Sequence, residues 1–196
     1  MREIPKATSL NCKSGVSAFV SGRTVIAYWL IPAEPARSFF QGVIDGLVRR
    51  YDAALFEPHV TVHVGSNRAD AAESALSEAG RACRPIKLKA LEIGHSSEFI
   101  KTLFVQFVLN AELRQLNEII RGAAQDSSHY ELKPHLSLLY KKMPAAARRE
   151  LASSIKVPCA EVTFDALKAV CCISPTRSRS NVEAWCAVAT TELNAL

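Results

Sequence analysis

The sequence contains no long apolar run. The longest, Val25–Ile31, stops at Pro32, far short of the about 20 residues that cross a bilayer. No continuous apolar stretch of signal-peptide type follows the early basic residues Arg2, Lys6 and Lys13, so residues 1–23 read as a disordered or loosely docked N-terminal tail and the protein as cytoplasmic. No run of five basic residues occurs, so the formal net charge of +5 does not gather into a dedicated nucleic-acid patch. The cysteines at 12, 83, 159, 171, 172 and 186 include no C-x-x-C pair, which excludes a zinc ribbon and a thioredoxin motif. Cys171, Cys172 and Cys186 stand in apolar text and read as small core residues. Gly42, Gly46 and Gly65 are isolated, so there is no Walker or dinucleotide loop, and no nucleophile elbow is present.

What the chain does have is an ordinary globular balance, 48% hydrophobic and 22% charged over 196 residues. That is enough for one real core, and residues 24–196 are read as a single bilobal domain. Thr24–Ile31 reads as a buried strand. Arg37–Arg50 places apolar residues at 39, 40, 43, 44, 47 and 48, the spacing of a helix with one buried face. Pro58–Gly65 alternates as a strand, and Asn67–Cys83 is an Ala-rich helix with Asn67 as its N-cap. Ile86–Ile93 and Thr102–Leu109 form a strand pair. Glu112–Ala124 is helical, Pro134–Tyr140 a strand, Ala145–Ile155 a short helix, and Glu161–Ile173 and Val182–Thr190 are closing strands around a polar loop, SPTRSRSN. Adjacent strands of this kind imply antiparallel pairing, hence an α+β class with two pseudo-symmetric antiparallel sheets, flanking helices and a central cleft.

An internal duplication organises this pattern. Phe56-Glu57-Pro58-His59-Val60-Thr61-Val62 and Leu132-Lys133-Pro134-His135-Leu136-Ser137-Leu138 agree position by position as apolar, charged, Pro, His, aliphatic, hydroxyl, aliphatic. Residues i and i+2 of a strand share a face, so His59 projects with Thr61 and His135 with Ser137. Each proline, lacking an N–H, belongs at a strand start or edge. Two imidazoles and two hydroxyls around one pocket suit phosphodiester hydrolysis. One neutral His takes a proton from water and one protonated His supplies a proton to the departing sugar oxygen. The hydroxyls hold the non-bridging oxygens. No metal or cofactor is needed.

At these residues the sequence resembles the two-histidine phosphoesterase superfamily, defined by paired H-x-[ST] motifs on a bilobal α+β fold. FEPHVTV at 56–62, KPHLSLLY at 133–140 and the segment Trp29–Pro32 resemble its plant and yeast cyclic phosphodiesterase branch. The resemblance implies hydrolysis of ADP-ribose 1″,2″-cyclic phosphate and nucleoside 2′,3′-cyclic phosphates. It makes His59 and His135 the acid–base pair, Thr61 and Ser137 the phosphate clamps, and Trp29 and Tyr140 pocket-lining residues. By strand parity Tyr140 should not share the face of His135 and Ser137, so its contact needs a strand end or twist. An RNA-end phosphodiesterase or 2′–5′ RNA ligase-like enzyme keeps the chemistry and changes the substrate, and a non-catalytic nucleotide- or RNA-end-binding module is the third reading. The partner expected is a small phosphorylated nucleotide, with RNA ends as the alternative; no membrane is expected, and the chain reads as a monomer.

Other residues read more plainly. His63 continues the face of His59 and Thr61, but no third ligand of fitting spacing accompanies it, so a supporting or strand-exit role is expected rather than a metal site. His95 and His129 lie in polar loop text. Arg177 and Arg179 in the SPTRSRSN loop are expected in solvent, with a second substrate phosphate as their alternative partner. Lys133 shares the face of His135.

Overall fold

The computed structural model of the chain describes residues 22–126, 128, 130–157 and 160–194. Most of the N-terminal tail, His129, Cys12 and Cys159 therefore lie outside the described residues. The elements run β1 (Arg23–Pro32), α1 (Ala36–Tyr51), β2 (Val60–Ser66), α2 (Ala69–Ala82), β3 (Ile86–His95), β4 (Leu103–Phe107), α3 (Ala111–Ala123), β5 (His135–Leu139), α4 (Ala145–Ser154), β6 (Glu161–Ser174), α5 (Arg179–Glu183) and β7 (Cys186–Glu192), with a single 3-10 turn at Phe99–Lys101. The first ten elements form two βαβαβ units in succession, the structural counterpart of the repeated motif.

All strand pairings are antiparallel, and they obey the duplication. β1 pairs with β2 as β4 pairs with β5, and β1 pairs with β6 as β4 pairs with β3. The two units interlock through β1 with β6 and β3 with β4, and also through β3 with β6 and one residue pair of β2 with β5, so the seven strands form one continuous sheet.

Helix α1 buries Phe40, Ile44 and Leu47, and α3 buries Leu113, Leu116 and Ile120. Each is fully withdrawn from water or nearly so, worth about 2 kcal/mol per side chain in transfer free energy. Helix α3 starts on Asn110, whose side chain accepts from the Leu113 N–H. Helix α2 starts later than its sequence implies: Arg68 holds the N-cap with no side-chain bond, and Asn67 lies outside it. The stretch from Val182 opens as helix α5, because Ser178 caps it by accepting from the Asn181 N–H; β7 begins only at Cys186. Of the three cysteines read as core, Cys172 is buried, Cys171 partly buried and Cys186 exposed. No helix among the described residues is long and apolar enough to cross a membrane.

Candidate active site

The register pair that joins β2 to β5 is Val60 with Leu136, the residues directly after the two motif histidines. Antiparallel continuation of that register sets His59 across from Ser137 and Thr61 across from His135. Val60 and Leu136 are fully buried in the core, so by strand alternation the four motif side chains belong to the opposite face. The pseudo-two-fold axis passes between them.

Both imidazoles are held the same way. His59 Nδ1 lies 2.6 Å from the carbonyl oxygen of Glu57, and His135 Nδ1 lies 2.8 Å from that of Lys133. A carbonyl can only accept, so each ring carries its proton on Nδ1 and leaves Nε2 with a free lone pair. Their surroundings differ. His59 is 6% exposed, stacked on Trp29 with centroids 3.8 Å apart and planes 10° apart, and flanked by Trp185 and Phe56. Burial drives its pKa down to about 4, against the pull of the Glu57 carbonyl and carboxylate; the charges of His135 and Lys168 lower it further. His135 is partly exposed. Burial lowers its pKa too, opposed by the Lys133 carbonyl, while Lys101 lowers it and Glu98 raises it. The charge of His135 reaches His59, so protonating one ring works against protonating the other.

The second half has its own aromatic partner, which the sequence reading missed. Trp29 faces Thr61 in the β1–β2 register, and Phe104 faces Ser137 in the β4–β5 register. Phe104 sets its edge against His135, with centroids 5.5 Å apart at 72°. Gly94, its cross-strand neighbour, makes room for the ring: a Cβ there would come within 2.5 Å of it. Extending the duplication from the motifs back to the preceding strand lands one residue away, on Val105, so only the strand register identifies Phe104.

Matching β-bulges follow each motif. Thr61 faces Trp29, yet His63 faces Tyr28; Ser137 faces Phe104, yet Leu139 faces Leu103. Val62 and Leu138 are the extra residues, and alternation shifts by one beyond them. His63 therefore does not share the face of His59 and Thr61; that expectation is corrected. It turns inward to 1% exposure, with Nε2 3.0 Å from Asp126 Oδ2. Its Nδ1 is buried without a hydrogen-bond partner among the described residues. Burial opposes the charge of Asp126, but the Ser128 N–H, His63 and the Ser128 hydroxyl outweigh it and hold the carboxyl below its usual range. Val64 takes the cleft position instead, and by the same shift Tyr140 reaches the cleft that strict parity denied it.

The cleft encloses about 520 Å³ and is lined by Trp29, His59, Thr61, Tyr140 and Trp185, among others. The Thr61 hydroxyl has no hydrogen-bond partner among the described residues. His135 and Ser137 do not line this cavity. Ser137 is 4% exposed and donates to the carbonyl of Ile100 at 2.8 Å, in the turn Phe99–Lys101, which contributes Phe99 and Ile100 to the cavity wall. Tyr140 stacks on Phe56 at 3.9 Å; burial pushes its phenol well up, and a hydrogen bond with Ser137 partly offsets this. His95 is exposed at the end of β3. Lys133 is exposed and pairs with Glu131. Arg177 lines the cleft, whereas Arg179 is ion-paired with Asp52 and Glu183. Among the described residues no group of His, Cys, Asp and Glu is arranged to hold a metal ion.

Residues 24–191 match the family described as cyclic phosphodiesterase-like protein. The chain belongs to that family. Its fold is that of the two-histidine phosphoesterases: it is similar to Escherichia coli LigT, solved as a complex with 3′-AMP, at 17% identity and a TM-score of 0.53 over 89% of this chain and 100% of that one. It is also similar to the TT0787 protein of Thermus thermophilus, at 14% identity and a TM-score of 0.57 over 86% of this chain and 97% of that one. At such identity the likeness is one of fold. No curated protein matches the sequence significantly.

Proposed function

We propose that the protein is a metal-independent phosphodiesterase that opens cyclic phosphates, ADP-ribose 1″,2″-cyclic phosphate and nucleoside 2′,3′-cyclic phosphates being its substrates, as in the plant and yeast enzymes it resembles. The observation that carries this reading is the Val60–Leu136 register pair, which sets each histidine opposite the hydroxyl residue of the other motif. His59, deeply buried and neutral above about pH 4, fits the general base. Its Nε2 takes a proton from water as the water oxygen bonds to phosphorus. His135, more exposed and beside Glu98, fits the acid: its Nε2 proton goes to the ribose oxygen as the P–O bond breaks. The product is an acyclic phosphomonoester, and the proton taken by His59 returns His135 to its starting state through solvent.

Thr61 points its hydroxyl at a non-bridging oxygen. Ser137 donates to Ile100 in the free protein and turns that proton to the phosphate when the anion is bound. A cavity of about 520 Å³ is of small-ligand size, which favours a mononucleotide-scale substrate over a long RNA strand.

The test is turnover of ADP-ribose 1″,2″-cyclic phosphate, and of an oligonucleotide ending in a cyclic phosphate, by wild type, His59→Ala and His135→Ala with EDTA present. Each substitution should cost at least about 100-fold in kcat, the scale of lost acid–base catalysis, and EDTA should change nothing. Unchanged turnover in either variant would leave a binding module, and abolition by EDTA would remove the mechanism. Preference for the oligonucleotide would make RNA ends the substrate.

A further inference from the structure

The cleft extends well beyond His59. Val25, Ala27 and Trp29 alternate along β1 with their side chains in its wall. Trp29 stacks on His59, and Val25, four residues earlier, stands about 13 Å away at the rise of an extended strand. Strand β6 runs alongside, with Cys172 opposite Val25 and Ser174 opposite Arg23, so the segment from Ser174 to Arg177 closes the far end. Between the two ends the floor is apolar: Val25, Ala27, Val64 and Cys172 offer nothing that would hold a phosphate.

Arg177 is fixed at that far end. Its backbone N–H donates to Asn181 Oδ1 at 3.0 Å, the Thr176 hydroxyl donates to the Ile173 carbonyl at 2.8 Å, and the Asn181 N–H donates to the Ser178 hydroxyl. Asn181, at 6% exposure, is itself buried. The guanidinium of Arg177 makes no ion pair or hydrogen bond among the described residues, although it lines the cleft. Arg179 differs: Asp52 holds it at 2.7 Å and Glu183 at 2.6 Å, and it does not line the cleft. The sequence treats these arginines alike, and the fold separates them. Lys142 is a second cleft-lining cation without an ion-pair partner among the described residues. The one carboxylate in the lining among the described residues, Glu98, acts on His135 and so belongs to the histidine end.

We propose that Arg177, with Lys142 adding positive field, is a second anion subsite that takes a phosphate on the 5′ side of the ribose whose cyclic phosphate is opened at the histidines. This rests on the hydrolase reading and narrows it. The preferred substrates are cyclic phosphates that also carry a 5′-linked phosphate, and the apolar floor takes the sugar between the two anions. A planar guanidinium with a fixed backbone suits a phosphate of defined position better than a mobile ammonium does.

Adenosine 2′,3′-cyclic phosphate and its 5′-phosphorylated form differ in that one group, so their kcat/KM ratio reads the subsite directly. Wild type should prefer the 5′-phosphorylated form, and Arg177→Ala should lower that ratio by about 10- to 100-fold, the worth of a hydrogen bond to a charged group, through KM rather than kcat. Arg177→Lys should recover part of it, and Arg179→Ala should keep the wild-type ratio. A wild-type ratio near one, or a ratio unmoved by Arg177→Ala, overturns the proposal. Calorimetric titration with 5′-AMP and with adenosine gives a readout without turnover. If wild type hydrolyses neither cyclic compound, a loss of 5′-AMP affinity in Arg177→Ala still supports the subsite while the hydrolase reading falls; equal affinity for 5′-AMP in both proteins overturns the subsite. Running ADP-ribose 1″,2″-cyclic phosphate beside a cyclic-phosphate-ended oligonucleotide identifies the source of the second phosphate, the one whose kcat/KM falls further in Arg177→Ala.

Discussion

Glu57 and Lys133 occupy the same place in the two halves, two residues before a histidine, and use the same atom there: the carbonyl of each accepts the Nδ1–H of its imidazole. Their side chains are opposite in charge. The Glu57 carboxylate is gripped by Lys168, at 20% side-chain exposure, and by Arg37 at 2.6 Å. Lys133 reaches only the exposed Glu131. The duplicated backbone thus sets two identical tautomers, and the different charges beside them make the two rings unequal.

This predicts opposite shifts in the acid limb of the pH profile of kcat/KM, which falls as His59 becomes protonated. Lys168→Met removes a charge that disfavours the imidazolium and leaves Glu57 with Arg37 as its remaining cation, so the limb should move to higher pH. Glu57→Gln removes a charge that favours the imidazolium, so it should move lower. Each displacement should be about one pH unit, the lower end of what a neighbouring charge does. Shifts in the same direction would show that the pair acts on the fold and not on the ring.

Stability should also follow His59. Its pKa is about 4 in the folded protein and 6.5 in its ordinary state, so between those values the unfolded chain binds the extra proton. Stability is complete above pH 6.5 and is lost as the pH falls through the window to 4, by about 3 kcal/mol at full depth. Urea unfolding at pH 7 and pH 4.5 measures this. His59→Gln should flatten the difference, and an equal pH dependence in wild type and variant would contradict the assignment.

Tyr140→Phe keeps the stack on Phe56 and deletes the hydroxyl that meets Ser137. Loss of one neutral hydrogen bond should lower kcat by about 2- to 10-fold, with little change in melting temperature beyond that bond. A fall as large as that of His135→Ala would give Tyr140 a direct part in the proton transfer.

The pair His63–Asp126 should matter to folding and not to chemistry. His63→Ala removes one partner of a carboxylate whose side chain is 5% exposed, the Ser66 and Ser128 donors remaining, and empties a buried ring site; it should destabilise by about 3 kcal/mol, with kcat/KM of the folded protein close to wild type. Gly65→Ala should be as harmful, since a Cβ there would lie 1.8 Å from Asp126 Oδ2. A thermally unchanged His63→Ala with lost turnover would move His63 into the site.

The strand and helix order was legible because each element carries its own periodicity, and the four motif residues because the same pattern occurs twice. What stayed hidden was set by pairing across the chain. Nothing in the text VTVHVG distinguishes a regular strand from one with an extra residue at Val62, so His63 read as a neighbour of Thr61. The same silence at Leu138 made Tyr140 look misplaced. Phe104 escaped because its role depends on the register with Ser137, and Arg179 parts from Arg177 through Asp52, far away in sequence, together with Glu183.

The extra residue falls at the same offset in both halves, directly after Thr61 in one and Ser137 in the other. Two independent insertions landing on that one position is a poor account; a single ancestral unit that already carried the kink, copied whole and fused head to tail, is the simpler one. The irregularity then predates the two-imidazole centre, and divergence since has worked on what the kink presents: an aliphatic valine from one copy, a phenol from the other.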